Sequence, residues 1–291
     1  MNNKQPFKNL AFLKKIDTVD MLIGHYAPNT IATFYVAAVS ALQLFKDRIG
    51  YKTAFNAYVK KMTDAKAERR TTEEKNEKTA KQEKAWVDWP DVLKRHQELK
   101  AEVTKFSDAK NLTPKQYQTL VAYVVLSFYV LLRPRRNADF LHMYVTPSLT
   151  DGLVTLTADR NYYALDTHKM LFHVFKTAKT APEDEKSLDV PTELQEVIAL
   201  YMKHHPLNKS NRKDYKLLVN ADGSPINAGN SITRILNRVF DKHVSSSMLR
   251  HSFLSGKYGK VLEEMKEDSA AMAHGLNTQR NYIKMEGEEA E

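Results

Sequence analysis

The stretch LTPKQYQTLVAYVVLSFYVLLRPRRNADF, residues 112–140, places the longest apolar run of the chain between a helix start and a helix stop. Thr113 stands where a cap belongs, Pro114 at the first helical position, and Gln116 where it closes a capping box. Pro134 obliges the helix to end near Leu132. The apolar part, Leu120–Leu132, falls short of the roughly 18 to 20 residues that cross a bilayer and includes tyrosines and a serine, so it reads as a core helix. Arg133, Arg135 and Arg136 follow in a proline-interrupted turn, where the chain can aim a guanidinium into a cleft.

Upstream, NTIATFYVAAVSALQLF (29–45) carries apolar residues at helical spacing behind an asparagine or threonine cap. Residues 57–84 are charged in both signs with few apolar anchors, TTEEKNEKTAKQ (71–82) least core-like of all. AWVDWPDVLKRHQEL (85–99) restores apolar content with both tryptophans. The reading assigns residues 1–110 to a small helical domain and 111–291 to a second one.

Downstream, LVTLTADRNYYALDTHKMLFHVFKTAK (153–179) alternates β-branched and aromatic residues around the turn signal DTHK, and SLDVP (187–191) reads as one more short strand. Helices return in TELQEVIALYMKHH (192–205), with a capping box at Thr192 and Gln195. They continue in NSITRILNRVF (230–240), which sets Ile232, Ile235, Leu236, Val239 and Phe240 on one stripe. Helices, a small antiparallel sheet, then helices make an α+β fold that is mostly α.

The net charge of +9 and a sequence pI near 9.3 favour polyanionic partners, nucleic acid first. The chain contains no cysteine, which excludes disulfides, thiolate zinc sites and cysteine nucleophiles. No signal-peptide pattern opens it, so a cytoplasmic or nuclear location is expected. A glycine-rich phosphate loop and a Gly-x-Ser-x-Gly elbow are also missing.

SSSMLRHSFLSGKYG (245–259) raises a sharper question, because a helix showing Met248, Leu249, Phe253 and Leu254 to a core also carries Arg250 and His251. Lys176 and Lys179 lie in HVFKTAKT (173–180), where a strand enters a turn. His274 stands eight positions before Tyr282 in MAHGLNTQRNY (272–282). Arginine after a buried helix, lysine on a β-turn, Met-Leu-Arg-His-Ser-Phe, Ala-His-Gly and then tyrosine form an order that resembles the tyrosine recombinase (phage-type integrase) family along the second domain. PRRNADF (134–140) and MAHGLNTQRNY bring the resemblance nearest to integrase-like proteins of large DNA viruses and virophages.

The resemblance implies roles residue by residue. The first arginine, followed by two residues and then an acid, matches Arg136 with Asp139 orienting it; Arg135 is the alternative. The β-turn lysine falls on Lys176 or Lys179 and acts as general acid toward the leaving 5′-oxygen. Arg250 is the second arginine, with His251 beside it; His274 hydrogen-bonds the phosphate or helps orient the nucleophile, and Tyr282 attacks. Ser247 stands where the family usually has histidine, and a serine donates one hydrogen bond but carries no proton at neutral pH. The spacing from His274 to Tyr282 is about one residue shorter than in the commonest phage enzymes.

The implied reaction is transesterification through a 3′-phosphotyrosine, without ATP, metal or other cofactor. Its implied partner is double-stranded DNA, gripped by a helical core-binding domain and the catalytic domain as a C-shaped clamp. Its implied assembly is a dimer on one site and a tetramer in synapsis, with the acidic tail IKMEGEEAE (283–291) docking on a neighbouring subunit. Arg234 and Arg238, on the face of 230–240 opposite its apolar stripe, are candidates for backbone contact. Alternatives are a tyrosine-type topoisomerase, a catalytically silent DNA-binding descendant of a recombinase, and a basic helical protein that binds RNA or another protein.

Overall fold

The capping box forms as its spacing predicts. In the computed structural model of the protein, which describes residues 9–150, 152, 155–182, 186–208 and 214–284 without the side chains of 72–74, Gln116 N–H donates to Thr113 Oγ1 at 3.3 Å and Thr113 N–H to Gln116 Oε1 at 2.8 Å. The chain divides into two compact units, 1–79 and 80–291.

The first unit contains α1 (Ile16–Ile23), α2 (Pro28–Leu42) and α3 (Lys52–Glu74). Its small core gathers Leu13, Ala38, Leu42, Ala54 and Tyr58. Pro28 sits in the first turn of α2 and no side chain caps it, in place of the expected asparagine or threonine cap.

The second unit contains α4 (Ala80–Ala85), α5 (Trp89–Thr104), α6 (Pro114–Val130), α7 (Asn137–Leu141), α8 (Thr192–His204), α9 (Ser231–Phe240), α10 (Ser246–Ala271) and α11 (Leu276–Tyr282). Helix α6 is buried along most of its circumference, from Tyr117 through Tyr129, which makes it the centre around which α5, α8 and α9 pack. Helix α5 offers Val92, His96, Leu99 and Val103, spaced for one face, and His96 Nε2 meets Ser127 Oγ at 2.8 Å.

The unit boundary lies upstream of the expected 110. This segment packs with α10: Trp89 meets Phe253 edge-on at 5.1 Å, and Ser252 Oγ donates to Val87 O. Arg95 Nε adds a bond to Val239 O at 2.9 Å, so α5 belongs to the second core.

Five strands, β1 (Met143–Thr146), β2 (Asn161–Ala164), β3 (Lys169–Phe172), β4 (Ser187–Asp189) and β5 (Tyr215–Lys216), form one sheet in the order β4-β3-β2-β1-β5. The expected sheet was antiparallel; this one is mixed, because β1 and β2 run parallel with Met143 opposite Asn161. Residues 147–160 supply the connection of a dozen or so residues that a parallel pair needs. Of the expected strand start LVTLT (153–157), residues 153 and 154 lie outside the described set and 155–157 are not strand. Helix α8 also departs from expectation: Pro191 takes the cap position, and Gln195 Nε2 donates to Val190 O at 2.7 Å instead of closing a box with Thr192. The fold is therefore α+β, mostly helical with a small mixed sheet.

Candidate functional site

The proline turn after α6 splits its two neighbouring arginines between different tasks. Arg135 Nε donates to Asp139 Oδ2 at 2.9 Å, and its guanidinium lies over the Phe172 ring at 3.9 Å and near Phe175 at 5.4 Å. Arg135 thereby fastens the turn to the end of β3. Asp139 is 3% exposed; burial raises its carboxyl pKa, and Arg135 opposes the rise. The expectation that Asp139 orients the Arg136 side chain is corrected: the Asp139 carboxylate pairs with the Arg135 guanidinium, its Oδ1 is buried without a hydrogen-bond partner, and Arg136 acts on it through charge.

Arg136 caps α7 with extended backbone, and its guanidinium lies close enough to Arg250 to repel it. The Arg250 pKa is lowered, first by burial and then by the Arg136 charge. Arg250 Nη2 donates to Ser247 Oγ at 2.9 Å, and Nε to Ser246 O at 3.4 Å. Among the described residues neither Arg136 nor Arg250 forms an ion pair. Two half-buried guanidinium groups, 114 positions apart in sequence, act on one another beside a carboxylate, Asp139, whose ion pair is with Arg135, and make an anion-seeking pair.

Several polar residues that sequence reasoning passed over position this pair. Tyr129, buried in α6, donates to Asn137 Oδ1 at 2.9 Å, and Asn137 Nδ2 donates to Thr233 Oγ1 at 3.0 Å, linking α6, α7 and α9 beneath Arg136. Burial raises the Tyr129 hydroxyl pKa, so the phenol stays a donor. Asn161, fully buried at the head of β2, donates to Asp139 O at 2.7 Å and Val174 O at 3.0 Å and accepts from Val174 N–H at 2.7 Å. It stitches the arginine segment to the start of the turn that carries the lysines. A polar residue heading the otherwise apolar run NYYA was the available signal.

Lys176 and Lys179 both lie exposed in that turn, between the antiparallel strands β3 and β4. His251 is exposed beside Arg250, and Arg234 and Arg238 are exposed on α9 while Ile232, Ile235, Leu236 and Val239 are buried.

His274 and Tyr282 form a second cluster, with ring centroids 5.6 Å apart at 41°. Both ring nitrogens of His274 are buried without a hydrogen-bond partner, and Tyr282, at the end of α11, is 70% exposed. The two clusters sit at opposite ends of α10. From Arg250 to Ala271 the helix continues without a break, and at 1.5 Å per residue this spans about 30 Å. One chain therefore assembles the arginine pair with the lysine turn at one end and the histidine–tyrosine pair at the other.

Among the described residues no group of three or more His, Cys, Asp or Glu side chains is arranged to hold a metal ion, and no helix is long and apolar enough to cross a membrane. An open groove of about 380 Å³ lies between the end of α5 and the head of α6, lined by Phe106, Lys115 and the capping-box residues, and it contains none of the candidate side chains. Comparison with protein-family models, curated proteins and solved structures finds no match for the chain.

Proposed function

We propose that the protein is a tyrosine recombinase, a DNA strand transferase that cleaves and rejoins duplex DNA through a 3′-phosphotyrosine. The observation that carries this reading is the mutual repulsion of Arg136 and Arg250, neither of them in an ion pair among the described residues, with the nearby Asp139 carboxylate paired to Arg135 and offsetting their charge only in part. In phosphoryl transfer the negative charge on the nonbridging oxygens must be met by fixed donors, and guanidinium forks meet it better than flexible ammonium groups. Arg250 stands on a helix with a buried face because the helix holds it rigid while Ser247 fixes one of its nitrogens.

Tyr282 Oη attacks the phosphorus, the bond to the 5′-oxygen breaks, and the phosphodiester becomes a 3′-phosphotyrosine. The phenol gives its proton up to solvent, and the 5′-oxygen takes one from Lys176 or Lys179, which solvent then reprotonates. Bond energy is conserved, so ATP is unnecessary. Residues 1–79 correspond to the DNA-gripping helical domain of such enzymes, and the chain's net charge of +9 supports salt-sensitive affinity for the DNA backbone.

A second reading, a DNA-binding descendant without cleavage, is favoured by Ser247 in the usual histidine position and by the length of helix between Arg250 and Tyr282. The two readings part in a covalent-trapping assay. The chain and its Tyr282→Phe variant are incubated with a pool of nicked duplexes, denatured in detergent and resolved for DNA that migrates with protein. An adduct formed by the parent and lost in the variant supports the recombinase. Gel shifts by both proteins with no adduct from either support the silent binder, provided a known recombinase traps its own site in parallel.

A further inference from the structure

Leu254 was expected in a core and is 51% exposed on α10, yet the two most exposed large apolar side chains among the described residues lie in the first unit. Leu44 is 85% exposed and Ile49 101%, both in the turn QLFKDRIGY (43–51) between α2 and α3. A single exposed leucine is ordinary. Two in one turn, whose aromatic residues are partly buried, form an apolar tip with nothing beneath it to cover.

The turn is held in shape. Phe45 and Tyr51 set their ring centroids 5.6 Å apart, and Tyr51 packs on the small core of the unit. Arg48 N–H donates to Phe45 O and Tyr51 N–H to Arg48 O, each at 3.0 Å. Gly50 takes the left-handed conformation at φ +81°, which lets the chain turn into α3. The tip is therefore preorganised, and presenting it to a partner orders little further backbone.

Its surroundings are cationic. Lys46 and Arg48 lie in the turn and Lys52 opens α3, against the single carboxylate of Asp47. Lys14, from the turn before α1, sets Nζ 4.0 Å from the Tyr51 ring centroid, and the Arg48 guanidinium lies 4.9 Å from that of Phe45. None of these four cations forms an ion pair among the described residues. Two apolar side chains ringed by free cations fit a polyanion with an apolar interior. A bilayer with anionic head groups has that character, but two side chains bury too little there to hold a protein, whereas one base step of a duplex accepts a wedge of this size.

We propose that this turn is a DNA wedge: Leu44 and Ile49 enter a base step from the minor groove, unstack it and kink the duplex, while Lys14, Lys46, Arg48 and Lys52 hold the neighbouring phosphates. The wedge rests on the duplex partner common to both readings above and is indifferent to cleavage.

Fluorescence anisotropy with two short duplexes of one sequence, one intact and one with a single-nucleotide gap, tests it. The gap has already lost stacking, so the wild-type chain should bind the gapped duplex about tenfold more tightly than the intact one. Leu44→Ser combined with Ile49→Ser should abolish that preference, and because both positions are exposed the urea midpoint should stay nearly unchanged. Leu44→Phe combined with Ile49→Phe, still an apolar wedge, should keep it. Lys46→Ala combined with Arg48→Ala should weaken binding to both duplexes alike and lower the salt slope by about two; an unchanged slope overturns the phosphate contacts. Equal wild-type binding to the two duplexes, or a preference that survives the serine pair, overturns the wedge and leaves the DNA partner standing. Binding to neither duplex overturns the wedge and the DNA partner together. Sedimentation with phosphatidylserine vesicles that the serine pair abolishes, while the duplex preference is untouched, makes the tip a membrane contact and likewise overturns the wedge.

Discussion

Acid should unfold the second unit through one histidine that its fold allows only as the neutral ring. His205, 4% exposed at the end of α8, sets Nε2 at 3.1 Å from Lys216 O and 3.2 Å from Leu217 O, and Nδ1 accepts from Leu207 N–H at 3.1 Å. Carbonyl oxygens only accept, so Nε2 carries the proton; a second proton on Nδ1 would face the Leu207 N–H. Burial pushes the His205 pKa down to about 4 from 6.5, against the raising effect of the two carbonyls. The folded-state pKa is depressed, so the folded chain binds fewer protons than the unfolded chain between these values. The contribution is complete above pH 6.5 and is lost as pH falls toward 4. At 1.36 kcal/mol per pKa unit it amounts to about 3 kcal/mol, of which about 2 kcal/mol is gone by pH 5. Urea unfolding of the wild-type chain and of His205→Gln at pH 7.5 and pH 5 measures it. The variant should be weaker at pH 7.5, and its loss between the two pH values should be smaller by about 2 kcal/mol. Equal losses in both proteins would refute the reasoning.

Arg136→Ala should abolish DNA trapping while leaving the urea midpoint nearly unchanged. Arg135→Ala, which leaves Asp139 buried without its partner, should cost about 3 kcal/mol of stability, read from the same titration. Asn161→Leu removes three bonds between β2, α7 and the lysine turn and should cost about 2 to 4 kcal/mol in urea unfolding, with faster amide exchange at Val174.

How much of this was legible depended on whether local chemistry or distant packing decided the outcome. The α6 capping box and the stop before Pro134 are set within a few residues, and both appear where their spacing puts them. Thr192 and Gln195 had the same pattern, yet the helix starts one residue earlier, with Pro191 at the cap, and the Gln195 amide donates back to Val190 O. The parallel pairing of β1 with β2 is a non-local choice that alternation does not encode, and the two-residue β5 left no periodicity to read. At the candidate site, the motif order named Arg136 and Arg250. The division of labour between Arg135 and Arg136 was closed to sequence reasoning, since it turns on the rings of Phe172 and Phe175, more than thirty positions downstream.

The continuous α10 leaves two physical routes for Tyr282 to reach the arginines: a second copy brings it, or the helix breaks. The glycines of α10 separate these routes. Gly256 has a packing reason, since a Cβ there would press on Trp89, but Gly259 has nothing within 4 Å of where its Cβ would stand. A helix-interior glycine costs about 1 kcal/mol relative to alanine, so Gly259 is the weakest point between the two clusters. Gly259→Ala strengthens the helix by that amount and adds no clash. If breaking at Gly259 precedes cleavage, the variant should trap DNA several-fold more slowly, because the break becomes harder by about 1 kcal/mol. If cleavage uses the intact helix of a paired copy, the variant should unfold at higher urea and trap DNA at least as fast as the parent.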